Sequence, residues 1–432
     1  EYVEGMEKAV LELRATAYNK SRLKKAVYPE PFKIADGTNT TYMLVKTNGI
    51  PTFEADDYQK IIPETREAQI LYLINKYDVR NNQLKTDEIK AFQQFLIDVQ
   101  SDERRTLKSN DIIAYASPDG KEDQNAKLSD NRSKSAEKAF GKVTKKHTVD
   151  APVNVKSIAE DWEGFQELVA QSDLEDKELI IRVLSMYSDP AVREKEIKNL
   201  SAVYQTLAKE ILPELRRARF IANVEFTNYT SEELLELIES NIDVLDEEAL
   251  LRAATLVKEN DDKLAIYRKA IDKFDSARAQ YNLGVTYINM DDLAKAKNAL
   301  AKVEADADVY NALGVIALRE DDLNAAAEYF ALADNEASVE NAAIIDILDG
   351  EYKAAAQKLA GKKTFNAGLA QVLTGNNNPE IDHNCPKSSY LRAVAAARRG
   401  DAETVKSELE KAQKKEKLAE RAAKDVEFAQ FR

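Results

Sequence analysis

The sequence predicts an α+β sandwich domain followed by an all-α solenoid of helical repeats, and three observations carry that prediction. Residues 66–228 alternate strand-like and helix-like stretches. From Thr230 onward no strand pattern appears. Between 281 and 412 a helix–turn–helix pattern recurs with a period near 30. Strand–helix alternation implies a sheet with helices packed on one face, and self-similarity at such a period implies stacked hairpins.

Composition sets the bounds. At roughly 150 residues per domain, 432 residues give two or three domains. With 62 Lys and Arg against 76 Asp and Glu, the formal net charge is −14. A nucleic-acid binder needs a basic face to displace counterions, so that class is disfavoured, and so is an anionic membrane surface. Only 13 Gly and 10 Pro punctuate the chain, well below an average of about 12% together, which favours long helices. A hydrophobic content of 44% suffices for a core. No run reaches the roughly 18 apolar residues of a membrane-spanning helix, so no transmembrane segment is expected. The single cysteine, Cys385, leaves no internal disulfide framework, and no cofactor is expected. Because the chain starts at Glu1, it reads as a mature or trimmed form from which a signal peptide or lipid-bearing cysteine has been lost.

Taken in order, residues 1–65 form a first segment. It opens on a helical pattern of Met6, Val10, Leu13 and Ala17, then passes into "KIADGTNTTYMLVKTNGIPTF", which reads as one or two strands with turns. Within 66–228, residues 69–80 alternate and are rich in β-branched and aromatic side chains, so a strand is expected. Thr86 caps a helix with Ile89, Phe92 and Leu96 on one face. A second strand at 110–117 ends on Pro118-Asp119-Gly120, a strong turn signal. A polar helix follows from about Asp123 to Val143, then a third strand at 152–158. A helical excursion from Trp162 to Leu215 leads to a fourth strand at 217–226. Thr230-Ser231-Glu232-Glu233 is a capping box that opens the helical region, 229–432.

In that region Leu283-Gly284 recurs as Leu313-Gly314, Asp292-Leu293 as Asp322-Leu323, and Ala296 as Ala326. Weaker copies follow at 340–360 and 390–412, and 366–376 looks like a first helix whose partner is lost in a loop. Small residues let paired helices approach closely, and no unit can bury its own apolar face, so the units stack. This resembles the tetratricopeptide repeat: Leu283, Gly284, Tyr287, Ala296 and Leu300 fall at that family's spacing, with a period shorter than its usual 34. At the inner positions of the first helices stand Val285, Ile288 and Asn289, then Val315, Leu318 and Arg319. So apolar a groove disfavours a charged C-terminal tail and fits a protein helix or an extended segment.

The most specific string is "YASPDGKEDQNAKLSDNRSKSAEKAF", which follows one predicted strand and opens a helix. It resembles the OmpA-like peptidoglycan-binding domain, with Gly120, Asn125, Leu128, Ser129 and Arg132 in register with that family's T-D-x-x-G and N-x-x-L-S-x-x-R-A pattern. The resemblance covers 66–228, with the helical stretch Trp162–Asp189 as an insertion. It implies a pocket in which an aspartate and an arginine hold the amino-acid end of diaminopimelate, since a zwitterion needs an anion for its ammonium and a bidentate cation for its carboxylate. Arg132 falls on the arginine, but Ser117 stands at the aspartate position, with Asp119 in the same turn as a substitute. The residues alone are equally consistent with a structural relic, because Asn125, Ser129 and Arg132 simply share one helix face.

His383 and Cys385 read as part of a surface loop rather than metal ligands, and Trp162 reads as core rather than a sugar platform. No glycine-rich phosphate loop or nucleophile motif is present, so an enzyme is not expected. The combined resemblance implies a non-enzymatic scaffold in the periplasm of a Gram-negative bacterium, associated with the outer membrane and linking peptidoglycan to protein partners in assembly or secretion. The alternative is a surface glycan- or nutrient-binding lipoprotein, which would need exposed aromatic platforms.

Overall fold

The computed structural model describes the chain apart from residues 1–5, 7–8, 19–24, 28–29, 119–121, 146–150, 175 and 200. It divides into two compact units, one made of residues 1–57 with 235–432 and the other of 58–234. The first segment expected from the sequence, 1–65, is therefore not a unit of its own.

At the N-terminus, β1 (Val10–Leu13) pairs with β4 (Phe32–Asp36), and β2 (Thr16–Tyr18) with β3 (Lys25–Val27), both antiparallel. The helix expected from Met6, Val10, Leu13 and Ala17 is thus replaced by strands. The 3–4 spacing of apolar residues was outweighed by a partner strand about 20 residues away in sequence, which no local pattern reveals. The later stretch does hold one strand, β4, followed by a short 3₁₀ turn (Thr41–Leu44).

The 58–234 unit is a four-stranded mixed sheet in the order β5 (Ile61–Leu71), β8 (Arg217–Thr227), β6 (Arg105–Tyr115), β7 (Val153–Ile158). β8 is antiparallel to both neighbours, whereas β6 and β7 are parallel. Parallel neighbours need a crossover, which α2 (Glu122–Thr144) supplies; α1 (Asp87–Ser101) connects β5 to β6. Thr86 caps α1 by accepting the Ile89 N–H at 3.3 Å. Both helices cover one sheet face. Ile89, Phe92, Ala136 and Phe140 interdigitate with Ile70, Ile112, Ala114, Phe220 and Ala222, and the Phe140 and Phe220 rings meet edge-on at 5.4 Å. The opposite face carries cross-strand polar pairs, Arg219 with Glu67 and Asn223 with Asp111.

The first strand lies earlier than the sequence implied, at 61–71 rather than 69–80. Beyond Tyr72 the chain turns through Asn75, at φ 53°, and Leu73 and Ile74 face solvent, so the alternation there belongs to a loop. Pro63 is tolerated because β5 is an edge strand. The excursion between β7 and β8 forms α3 (Trp162–Gln171), α4 (Lys177–Met186), α5 (Pro190–Asn199) and α6 (Ser201–Glu210), with a separate core that includes Phe165, Ile180, Leu184 and Leu207. Trp162 packs edge-on against Phe165 at 5.7 Å.

Thr230 and Glu233 form the expected capping box, with each side chain bonded to the other's backbone N–H at 3.2 and 2.7 Å. It opens α7 (Ser231–Ser240). After it come α8 (Glu247–Leu256), α9 (Asn260–Phe274), α10 (Ala277–Asn289), α11 (Leu293–Leu300), α12 (Ala307–Arg319), α13 (Leu323–Ala333), α14 (Glu336–Leu348), α15 (Tyr352–Lys358), α16 (Phe365–Leu373), α17 (Pro386–Arg399), α18 (Ala402–Ala412) and α19 (Glu416–Lys424). Among the described residues of 229–432 there is no strand, and from α8 onward each helix packs against the next. The repeated Asp-Leu pair is explained by its turn. Asp291 and Asp321 take left-handed φ of 62° and 65°, and the next aspartates, Asp292 and Asp322, cap α11 and α13.

The repeated glycines mark helix crossings. A Cβ on Gly314 would lie 2.5 Å from the Phe330 ring, and one on Gly284 would lie 2.9 Å from Leu300. Gly314→Ala is therefore expected to cost about 1–3 kcal/mol through overpacking. Gly141→Ala, in α2 with open space around the position, should be neutral or stabilising by about 0.5–1 kcal/mol. Urea unfolding of the two variants beside the parent checks this, and equal stability for both would contradict it. At α16 the missing second helix is replaced by a loop whose Ile381 covers Gly368.

Candidate functional site

Of the residues singled out in the strand–turn–helix string, Ser117, Asn125, Leu128 and Arg132 line one pocket of about 530 Å³ in the sheet unit. Its walls come from the loop after β5 (Ile74, Asn75, Tyr77), the end of β6 (Ser117) and the first half of α2 (Asn125, Lys127, Leu128, Arg132), with Arg216 before β8. Asp119 and Gly120 lie outside the described residues. Ser117, Asn125, Ser129 and Arg132 are all buried. The Asn125 carboxamide donates to the Ser117 carbonyl at 3.2 Å and to Glu160 Oε1 at 3.3 Å. Glu160, just past β7, is a carboxylate beside the predicted site that sequence reasoning missed; it also accepts the Trp162 indole N–H at 2.9 Å.

Arg132 is 1% exposed and its guanidinium faces the protein. Nε donates to the Lys76 carbonyl at 3.0 Å, Nη1 to Tyr115 at 2.8 Å and Nη2 to Leu73 at 3.4 Å. The Tyr72 ring lies beneath it at 4.9 Å, and the Tyr72 hydroxyl donates to the Arg132 carbonyl at 3.1 Å. Burial pushes the Tyr72 hydroxyl up to about 12, so it stays a neutral donor at physiological pH. Arg132 thus ties the loop after β5 to the end of β6, a role its spacing did not reveal. Among the described residues lining the pocket, Lys127, Arg132 and Arg216 are cations and none is a carboxylate. Such a lining suits an anion.

Below the pocket, at the start of the helical insertion, Asp161 and Arg217 form a buried ion pair, with Oδ2 2.9 Å from Nη2 and 3.1 Å from Nε. Asp161 also caps α3 by accepting the Gly164 N–H at 2.9 Å. A Cβ on Gly164 would lie 2.3 Å from Arg217, so only glycine fits beside the pair.

The helical unit holds a second constellation, in its groove. Residues 45–57 run extended along the first helices of successive hairpins, from α16 back to α8. Asn366 Oδ1 accepts the Lys46 N–H and its Nδ2 donates to the Lys46 carbonyl, each at 2.9 Å. Asn341 does the same for Ile50, at 2.8 and 3.1 Å, and Asn282 for Glu54, at 2.9 and 3.0 Å. Asn311 adds a bond to the Ile50 carbonyl at 3.3 Å and accepts one from Asn341 at 2.9 Å. Tyr281 donates to Thr52 O at 3.0 Å and Arg319 to Asn48 O at 2.7 Å. Of the inner residues expected from the sequence, Arg319 touches the segment directly and Val315 lies against Gly49. Val285, Ile288 and Leu318 are buried in the helix packing. The asparagines that make the contacts were not singled out.

No protein-family model and no curated protein sequence matches this chain. Among the described residues, no helix is long and apolar enough to cross a membrane.

Proposed function

We propose that the chain is a non-enzymatic scaffold of the periplasm, associated with the outer membrane, that links the cell wall to protein partners in envelope assembly or secretion. In this reading the 58–234 unit is an OmpA-like domain and the helical unit a tetratricopeptide-like array. One observation carries the reading: Asn125 and Arg132, which match the wall-binding pattern in sequence, and Ser117, which stands at its aspartate position, line a single pocket. A stem-peptide carboxylate meets Lys127 and Arg216 in the lining, while the Arg132 guanidinium is engaged by backbone carbonyls. Among the described residues its ammonium finds the Ser117 hydroxyl where the pattern has an aspartate, because Glu160 is held beside Asn125 and is not one of the lining residues.

Wall binding by the parent protein is therefore weak. Losing one charge-assisted hydrogen bond costs about 1.5–3 kcal/mol, roughly ten- to a hundredfold in affinity. Co-sedimentation of the full chain with purified sacculi should show weak retention, strengthened by Ser117→Asp. Tight retention insensitive to Ser117→Asp would overturn this account of the pocket.

A further inference from the structure

The groove contacts have three properties that ordinary packing does not require. First, each of Asn282, Asn341 and Asn366 uses both ends of one carboxamide on the N–H and C=O of a single residue, and those residues, 54, 50 and 46, are four apart. Second, what they hold is main chain: the largest apolar side chains of the segment, Ile50 and Phe53, remain 50% and 41% exposed. Third, most of the carboxamides are sequestered, with Asn282 2% exposed and Asn311 and Asn341 0%, while Asn366 is half-buried. A buried amide is costly unless its hydrogen bonds are made, so the groove demands an occupant offering paired donors and acceptors at these steps.

An α-helix cannot meet that demand, because its own N–H and C=O groups are bonded to each other. Of the two ligand shapes an apolar groove admits, only an extended chain presents both groups outward. One position restricts the occupant's side chain. Gly49 has φ +64°, and a Cβ there would lie 2.9 Å from Val315.

We propose that this groove is a receptor for an extended polypeptide main chain, and that residues 45–57 are its resident ligand, closing the groove to protein partners while they are seated. A partner reaches the ladder by displacing this segment with an extended segment of its own, carrying glycine at the position of Gly49. The inference is independent of the wall pocket, which lies in the other unit.

Two measurements on the full chain test it. Amide hydrogen exchange resolved by residue should show Lys46, Ile50 and Glu54 protected at least tenfold more than Thr47, Asn48 and Phe53. Uniformly fast exchange along 45–57 would overturn the proposal. In the second, a fluorescent peptide of residues 43–57 is titrated into the parent and into two segment variants, Ile50→Pro, which removes the N–H accepted by Asn341, and Gly49→Val, which drives a side chain into Val315. Neither variant changes a residue of the repeats, whose helicity is checked by circular dichroism. Apparent affinity falls with the fraction of open groove, so the peptide should bind either variant at least tenfold more tightly than the parent. Adding Asn341→Ala and Asn366→Ala should abolish that gain. Equal binding to parent and variants would show an open groove. A segment released in the variants with no peptide binding would show that the ladder is not a receptor, and unchanged protection in both would show that the ladder does not hold the segment. Any of these overturns the proposal.

Discussion

Replacing Asp161 with alanine is expected to destabilise the sheet unit by about 3–5 kcal/mol, the usual cost of removing one partner from a buried ion pair. The carboxylate receives two bonds from Arg217 and one from the Gly164 N–H, and both charged residues are buried. Once the carboxylate is gone, Arg217 retains only Gln69 Oε1 at 3.4 Å and the Tyr115 ring, 5.4 Å away. The α3 cap is lost as well, a change of about 0.5–2 kcal/mol in its own right. These losses share one side chain and do not simply add. Asp161→Asn keeps the cap acceptor while dropping the charge, so it should fall between parent and alanine variant. Urea unfolding followed by circular dichroism reads the order, and a loss under about 1 kcal/mol for Asp161→Ala would contradict the account.

Arg132→Ala is the second large effect, expected at about 3 kcal/mol or more, since hydrogen bonds to a charged group contribute about 1.5–3 kcal/mol each. It removes three such donors and leaves the carbonyls of Leu73, Lys76 and Tyr115 without them. The loop at 73–77, which carries Ile74 and Tyr77 into the pocket wall, should then exchange its amides faster than in the parent. Undisturbed exchange there would show that Arg132 does not hold the loop. For the same reason, lost wall binding in Arg132→Ala does not identify a ligand contact. Ser117→Asp adds a charge without removing any of these bonds and is the cleaner probe.

The parts legible in the sequence are those with local periodicity. α2, β7 and β8 appear close to their expected bounds because apolar alternation and helical spacing persist over whole elements. The hairpin turns were visible as Asp-Leu pairs because one aspartate caps each second helix. What was missed is non-local. β1 is a strand because Val10 pairs with Asp36 and Leu13 with Phe32. The 45–57 segment has no pattern of its own, since its partners lie 191 to 342 residues away. The asparagine ladder was hidden by irregular spacing. Asn282 and Asn311 are 29 residues apart where the Leu-Gly pairs are 30 apart, and Asn366 follows Asn341 by only 25. At the Ser117 pocket the sequence located Ser117, Asn125 and Arg132 together, but not that Arg132 is occupied by carbonyls or that Glu160 approaches Asn125 from the end of β7.

The central claim is that the Ser117 pocket meets a stem peptide and does so weakly. Titrating the full chain with a diaminopimelate-containing stem peptide, while following the amide signals of Ser117 and Asn125, tests it directly. The account predicts shifts confined to these residues and their pocket neighbours, with affinity about ten- to a hundredfold higher in Ser117→Asp than in the parent. Signals at 117 and 125 that stay unmoved in both proteins, or equal affinity in the two, would contradict it.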